Sequence, residues 1–82
     1  MYNLLISDKA QKFLNNLDFN ESEMIINKLN SILDRPYSHI KKLTGSRFWR
    51  LRISKYRAII DFVVEDNILK VLKIGHRKNV YD

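Results

Sequence analysis

Arg50 and Arg52 stand two residues apart in the run Trp49-Arg50-Leu51-Arg52-Ile53, alternating with large apolar side chains. In a strand, a period of two sends both guanidiniums to one face, roughly 7 Å apart along the chain. Arg57 opens the next apolar run and comes near Arg52 if its side chain faces the same way. A guanidinium is a planar fork of donors that pairs bidentately with phosphate. A convergence of such groups suits a polyanion, and nucleic acid above all. Arginine cannot accept a proton near neutral pH, because its pKa exceeds about 12. The chemistry written in this pattern is therefore charge stabilisation, not proton transfer. Two other readings of the same residues stay open: arginines that lie over apolar neighbours and point apart, and a surface for an acidic protein partner.

The charge distribution widens the pattern. The chain has 82 residues and a formal charge of +6, carried unevenly. Residues 1–40 sum to −1 and residues 41–82 to +7. From Lys41 to Arg57 there are seven basic residues and no acid. Segregation of this kind is an electrostatic footprint for a polyanion.

Several function classes lack their residues. With no cysteine, there is no disulfide framework and no thiolate metal site. The two histidines, His39 and His76, lie 37 positions apart and carry little ligand signal. His39, close to a helix end, reads as a loop residue. There is no glycine-rich phosphate loop, no paired-histidine zinc pattern and no sign of a nucleophile elbow. No apolar run approaches the roughly 20 residues of a membrane span. The first residues lack the basic and long apolar regions of a signal peptide. The expectation is a soluble, cytoplasmic, single-domain protein without metal or cofactor.

Positioning these arginines requires a scaffold, and its periods are readable. Tyr2–Ile6 is a short apolar strand. Ser7 caps a helix with Asp8 in its first turn, and Ala10, Phe13, Leu14 and Leu17 follow at helical spacing. Asn20 and Glu23 form a capping-box-like pair that opens a second helix. Ile25, Leu29, Ile32 and Leu33 share one face of it, and Pro36 ends it by about Arg35. Residues 37–46 read as a loop, with room for one helical turn. Then the period changes to two. Trp49–Ile53 is a half-buried strand, Ser54-Lys55 a tight connection and Tyr56–Val64 a second strand. Glu65-Asp66-Asn67 is a polar turn, and Ile68–Ile74 is a third strand that Gly75 breaks. The order β-α-α-β-β-β predicts an α+β fold, an antiparallel sheet with a helical hairpin on one face and the arginines on the other. Trp49 and Tyr56, alternating with the arginines, fall to the core.

The run from Lys42-Leu43-Thr44-Gly45 through Trp49-Arg50-Leu51-Arg52 to Tyr56-Arg57 resembles a segment of RelE/ParE-type toxins. That segment reads K-L-x-G…Y-R-x-R-x-G-x-Y-R. The closing Gly75-His76-Arg77-Lys78-Asn79-Val80-Tyr81 resembles the family's tail G-H-R-x-x-x-Y. Length and element order match as well.

The resemblance implies the toxin of a type II toxin–antitoxin pair, inhibited by a RelB-like antitoxin and oligomeric only with it. RelE-like members enter the ribosomal A site and cleave mRNA. ParE-like members share the fold and poison DNA gyrase. Carried over residue by residue, the RelE-type active site falls on Arg50, Arg52, Arg57, Arg77 and Tyr81. Cleavage would be attack of a ribose 2′-OH on its own 3′-phosphate, without metal, with the arginines on the charged phosphorane. Some relatives have lysine or glutamate where this chain has arginine, so the general base is unassigned; His76, Asp61 and Tyr81 are the candidates. Lys41, Lys42, Arg47 and Lys55, with Lys78 of the tail, are expected to hold RNA phosphates of mRNA or ribosome and to add salt-sensitive affinity.

Overall fold

A computed structural model describes residues 1–78 of the chain. Strand β1 (Asn3–Ile6) runs through Ser7 directly into helix α1 (Asp8–Asn15). The Ser7 hydroxyl accepts from the Ala10 amide at 3.1 Å, which satisfies an otherwise orphaned first-turn donor. The same hydroxyl donates to the Leu72 carbonyl at 2.6 Å, so one side chain both caps the helix and fastens it to the sheet.

Helix α2 spans Phe19–Ser31. Its cap is Asp18, whose Oδ1 accepts from the Glu21 amide at 2.9 Å, and not Asn20, which lies inside the first turn. The helix also stops earlier than Pro36 requires. Ile32 and Leu33 leave it but remain buried, at 0% and 7% exposure, because the chain is held against the core there. The Tyr2 amide donates to the Leu33 carbonyl at 3.1 Å and supplies part of that hold. Pro36 then opens a 3-10 turn, Pro36–Ser38, the single helical turn expected in this loop.

Strands β2 (Lys41–Lys42), β3 (Trp49–Ile53), β4 (Tyr56–Val63) and β5 (Ile68–His76) complete a five-stranded sheet of order β1-β5-β4-β3-β2. The last three form the expected antiparallel meander. The sheet as a whole is mixed, because β1 adds to β5 in parallel, Asn3 opposite Ile68 and Ile6 opposite Val71. Residues 37–46 are not all loop: β2 pairs with β3, Lys41 opposite Arg50 and Lys42 opposite Trp49. Gly75 does not end its strand. It stands in the ladder opposite Arg57, and β5 continues to His76. Pairing along β4 outweighs the weak strand preference of glycine.

Leu14, Ile25 and Leu29 of the helices meet Leu51, Tyr56, Ala58, Ile60, Leu69 and Val71 of the sheet in the main core, each at most 2% exposed. The register slips between Ile59 and Ile60, so that Ile59 faces Lys73, Ile60 faces Val71 and Leu72 has no partner on β4. This bulge frees the Leu72 carbonyl that Ser7 takes. It also puts Leu72 into a small second cluster with Leu43, Phe48 and Ile59, on the face away from the helices. Among the described residues, no helix is long and apolar enough to cross a membrane.

Candidate nucleic-acid interface

The cross-strand registers order the open face of the sheet into rows. One row runs Lys41, Arg50, Ile59, Lys73 across β2 to β5, and the next runs Arg52, Arg57, Gly75. Directly opposed residues hold their Cβ atoms about 4.5–5.5 Å apart. Arg52 and Arg57 are therefore immediate neighbours, with Arg50 one pleat along. Gly75 adds no side chain to its row. The opposite face carries Leu51, Ile53, Tyr56, Ala58 and Ile60 into the core. The alternation that buries those residues is what aims the arginines outward. These two rows contain five cations and no acid. Lys73 belongs to them by register, although it sits in an apolar run whose sequence gave no sign of the pairing.

The hairpin between β3 and β4 sets the position of Arg77. Ser54 takes φ 55°, a left-handed conformation that lets Ile53 and Tyr56 pair across a two-residue turn. The Arg77 amide donates to the Lys55 carbonyl at 3.0 Å. Its Nη1 donates to the Ser54 carbonyl at 3.3 Å. A guanidinium has five N–H donors, so one such bond steers the head and leaves capacity for a phosphate. Arg77 lines a pocket of about 510 Å³ with Lys55, His76 and Lys78. A second pocket, about 160 Å³, is lined by His39, Lys41, Arg50 and Arg52.

Several other residues named from the sequence have different surroundings. Arg47 makes a bidentate pair with Asp61, at 2.7 and 3.2 Å, which raises its pKa further through that hydrogen bond and charge. A gap of 14 residues hides this pairing from any local count of acids. It also engages Asp61, one of the base candidates. Lys42, opposite Trp49, lies over the indole at 5.5 Å and so belongs to the helix-side face. Lys55 reaches Glu21 of α2 at 3.4 Å. His76 pairs with Tyr56, and its ring packs at 5.2 Å from Tyr56 and 6.0 Å from Phe13 of α1. It therefore faces the helices, away from Arg52 and Arg57. Tyr56 itself is buried and donates to Glu21 Oε1 at 2.8 Å. Tyr81 lies outside the described residues. Among the described residues, no cluster of His, Asp and Glu could hold a metal ion.

An antiparallel meander, extended by a parallel edge strand and covered by two helices, is the fold of the RelE/ParE toxin superfamily. The chain belongs to the ParE toxin family of type II toxin–antitoxin systems, parDE, whose sequence model matches residues 4–81. It is similar to the toxin-fold chain in the intact RelBE toxin–antitoxin complex of E. coli, with 26% identity and a TM-score of 0.75 over 93% of this chain and 96% of that one. A chain of the Mycobacterium tuberculosis RelBE2 toxin–antitoxin complex superposes with a TM-score of 0.84 at 18% identity, over 93% of this chain and 98% of that one. The YoeB/ParE toxin from Agrobacterium tumefaciens gives 0.75 at 17% identity, over 94% and 99%. The last two likenesses speak to fold alone. No curated protein sequence matches the chain.

Proposed function

We propose that this toxin is a ribosome-dependent mRNA endoribonuclease that cuts in the A site by attack of a ribose 2′-OH on the adjacent 3′-phosphate, and so arrests translation. The observation that carries the reading is the pair of acid-free cationic rows, with Arg52 directly beside Arg57 and Arg50 one pleat away. Guanidiniums fixed on a sheet stabilise the charge of a phosphorane at little cost in reorganisation. Arg50, Arg52 and Arg57 would hold the scissile phosphate, Arg77 would approach from the hairpin tip, and Tyr81 of the tail would stand beside it. Lys41 and Lys78 would add phosphate contacts that position the protein without selecting sequence. Arg47, Lys42 and Lys55 would reach RNA only by exchanging the contacts they already make. A RelB-like antitoxin would hold the toxin inactive in the cytoplasm.

A second reading is inhibition of DNA gyrase without nuclease chemistry, and the match to the ParE family favours it. Primer extension on an mRNA under cell-free translation separates the two. New 5′ ends at A-site codons, dependent on ribosomes and absent with Arg77→Ala, are the expected result. Intact mRNA together with impaired supercoiling in a gyrase assay would sink the nuclease reading in favour of the second.

A further inference from the structure

The arginine rows leave one part of the reaction without a group. Attack by a 2′-OH needs an acceptor for its proton, and arginine cannot be one. Of the three base candidates legible in the sequence, His76 packs against Phe13 and Tyr56 on the helix side, Asp61 is paired with Arg47, and Tyr81 lies outside the described residues. Glu21 also lies on the helix side, accepting from Tyr56.

The pocket of about 160 Å³ beside the arginines supplies what they lack. A water occupies about 30 Å³, so the space admits a phosphate group. Its walls are Lys41 of β2, Arg50 and Arg52 of β3, and His39. Three elements place the histidine there. The turn Pro36–Ser38 ends with the His39 amide donating to the Pro36 carbonyl at 3.0 Å. Ile40, next in the chain, is 7% exposed and anchors the backbone in the core. Lys41 then enters the ladder opposite Arg50. His39 is left exposed at the pocket wall, the one lining side chain of a type that titrates near neutral pH.

We infer that His39 is a catalytic residue of this site, the base that takes the 2′-OH proton of the RNA. The inference rests on the nuclease reading above and deepens it. The proton passes from the 2′-hydroxyl to an imidazole nitrogen. The O2′–P bond forms, the P–O5′ bond breaks, the departing 5′-oxygen takes a proton from water, and the imidazolium returns its proton to the hydroxide left behind. The products are a 2′,3′-cyclic phosphate and a 5′-hydroxyl. Arg50 and Arg52 carry the charge of the phosphorane, and Lys41 holds a neighbouring phosphate.

The test is single-turnover cleavage of mRNA on programmed ribosomes, followed against pH for the full chain and for His39→Ala, His39→Gln and Arg52→Ala. The expected loss in both histidine variants is about 10²-fold or more in rate, with little change in the concentration of ribosomes needed for half-saturation. The acid limb of the pH profile should disappear, and added imidazole should restore part of the rate to His39→Ala. Matching thermal melts show that these variants fold. Cleavage by His39→Ala at the full rate with an unchanged pH profile, while Arg52→Ala is inactive, would overturn the assignment and leave the nuclease reading standing. Failure of the unaltered chain to cleave would remove both.

Discussion

The two faces of one sheet are built from the same strands and answer to different physics. Toward the helices, Leu51, Ile53, Tyr56, Ala58 and Ile60 are buried among α1 and α2 residues. Toward solvent, Arg50, Arg52 and Arg57 set cations at neighbouring positions, and like charges directly opposed, as at Arg52 and Arg57, repel. The first face holds the fold together, and the second is carried by it. A group that contributes to folding should therefore be separable by mutation from one that contributes to function.

The largest expected effect tests that separation from the open face. Arg52→Ala removes a donor from the row it shares with Arg57. Under the nuclease reading the cleavage rate should fall about 10²–10³-fold, while the melting temperature stays level or rises as repulsion is relieved. A variant that melted well below the parent would show that Arg52 belongs to the fold and break the comparison.

The helix face gives the converse. Leu29, 0% exposed, packs in the main core between α2 and the sheet. Leu29→Ala should cost about 2–5 kcal/mol of unfolding free energy, read from urea denaturation. Cleavage per folded molecule should be unchanged. A strong loss of activity in fully folded protein would mean that the core sets the arginine geometry more tightly than the two-face division allows.

The same division explains what the sequence could tell. Helical spacing in α1 and α2 and the period of two in β3 are local signals, so the elements, the core residues and the outward arginines were legible. Features made by distant pairing were not. β2 is a pair of lysines with little strand preference, and it is a strand because Arg50 and Trp49 lie opposite. Gly75 reads as a breaker, yet it is held in the ladder by Arg57. Asp18 and Asn20 are both good caps, and which one acts depends on where the Glu21 amide falls. In the candidate site, the tie between Arg47 and Asp61 spans two elements, and so does the approach of His39 to Arg50 and Arg52. Of these, the sequence showed only that Arg47, Arg50 and Arg52 belong to an acid-free basic stretch.

The smallest effect lies where the two faces meet at the hairpin end. Burial, then the hydrogen bond to Glu21, raises the pKa of the Tyr56 phenol above its ordinary value. A raised pKa means that, in alkaline solution, the folded chain keeps a proton the unfolded chain has lost. The stabilisation is complete below the unfolded value of about 10 and disappears as pH climbs through the folded one. Tyr56→Phe should cost about 1 kcal/mol at neutral pH and make the decline of stability above pH ~10 shallower, measured by denaturation at a series of alkaline pH values. Lysine deprotonation contributes to that decline in both proteins and cancels in the difference between them. Identical alkaline slopes would mean that neither burial nor Glu21 holds the phenolic proton, and would leave the Lys55–Glu21 ion pair as the polar tie between α2 and the hairpin on which Arg77 docks.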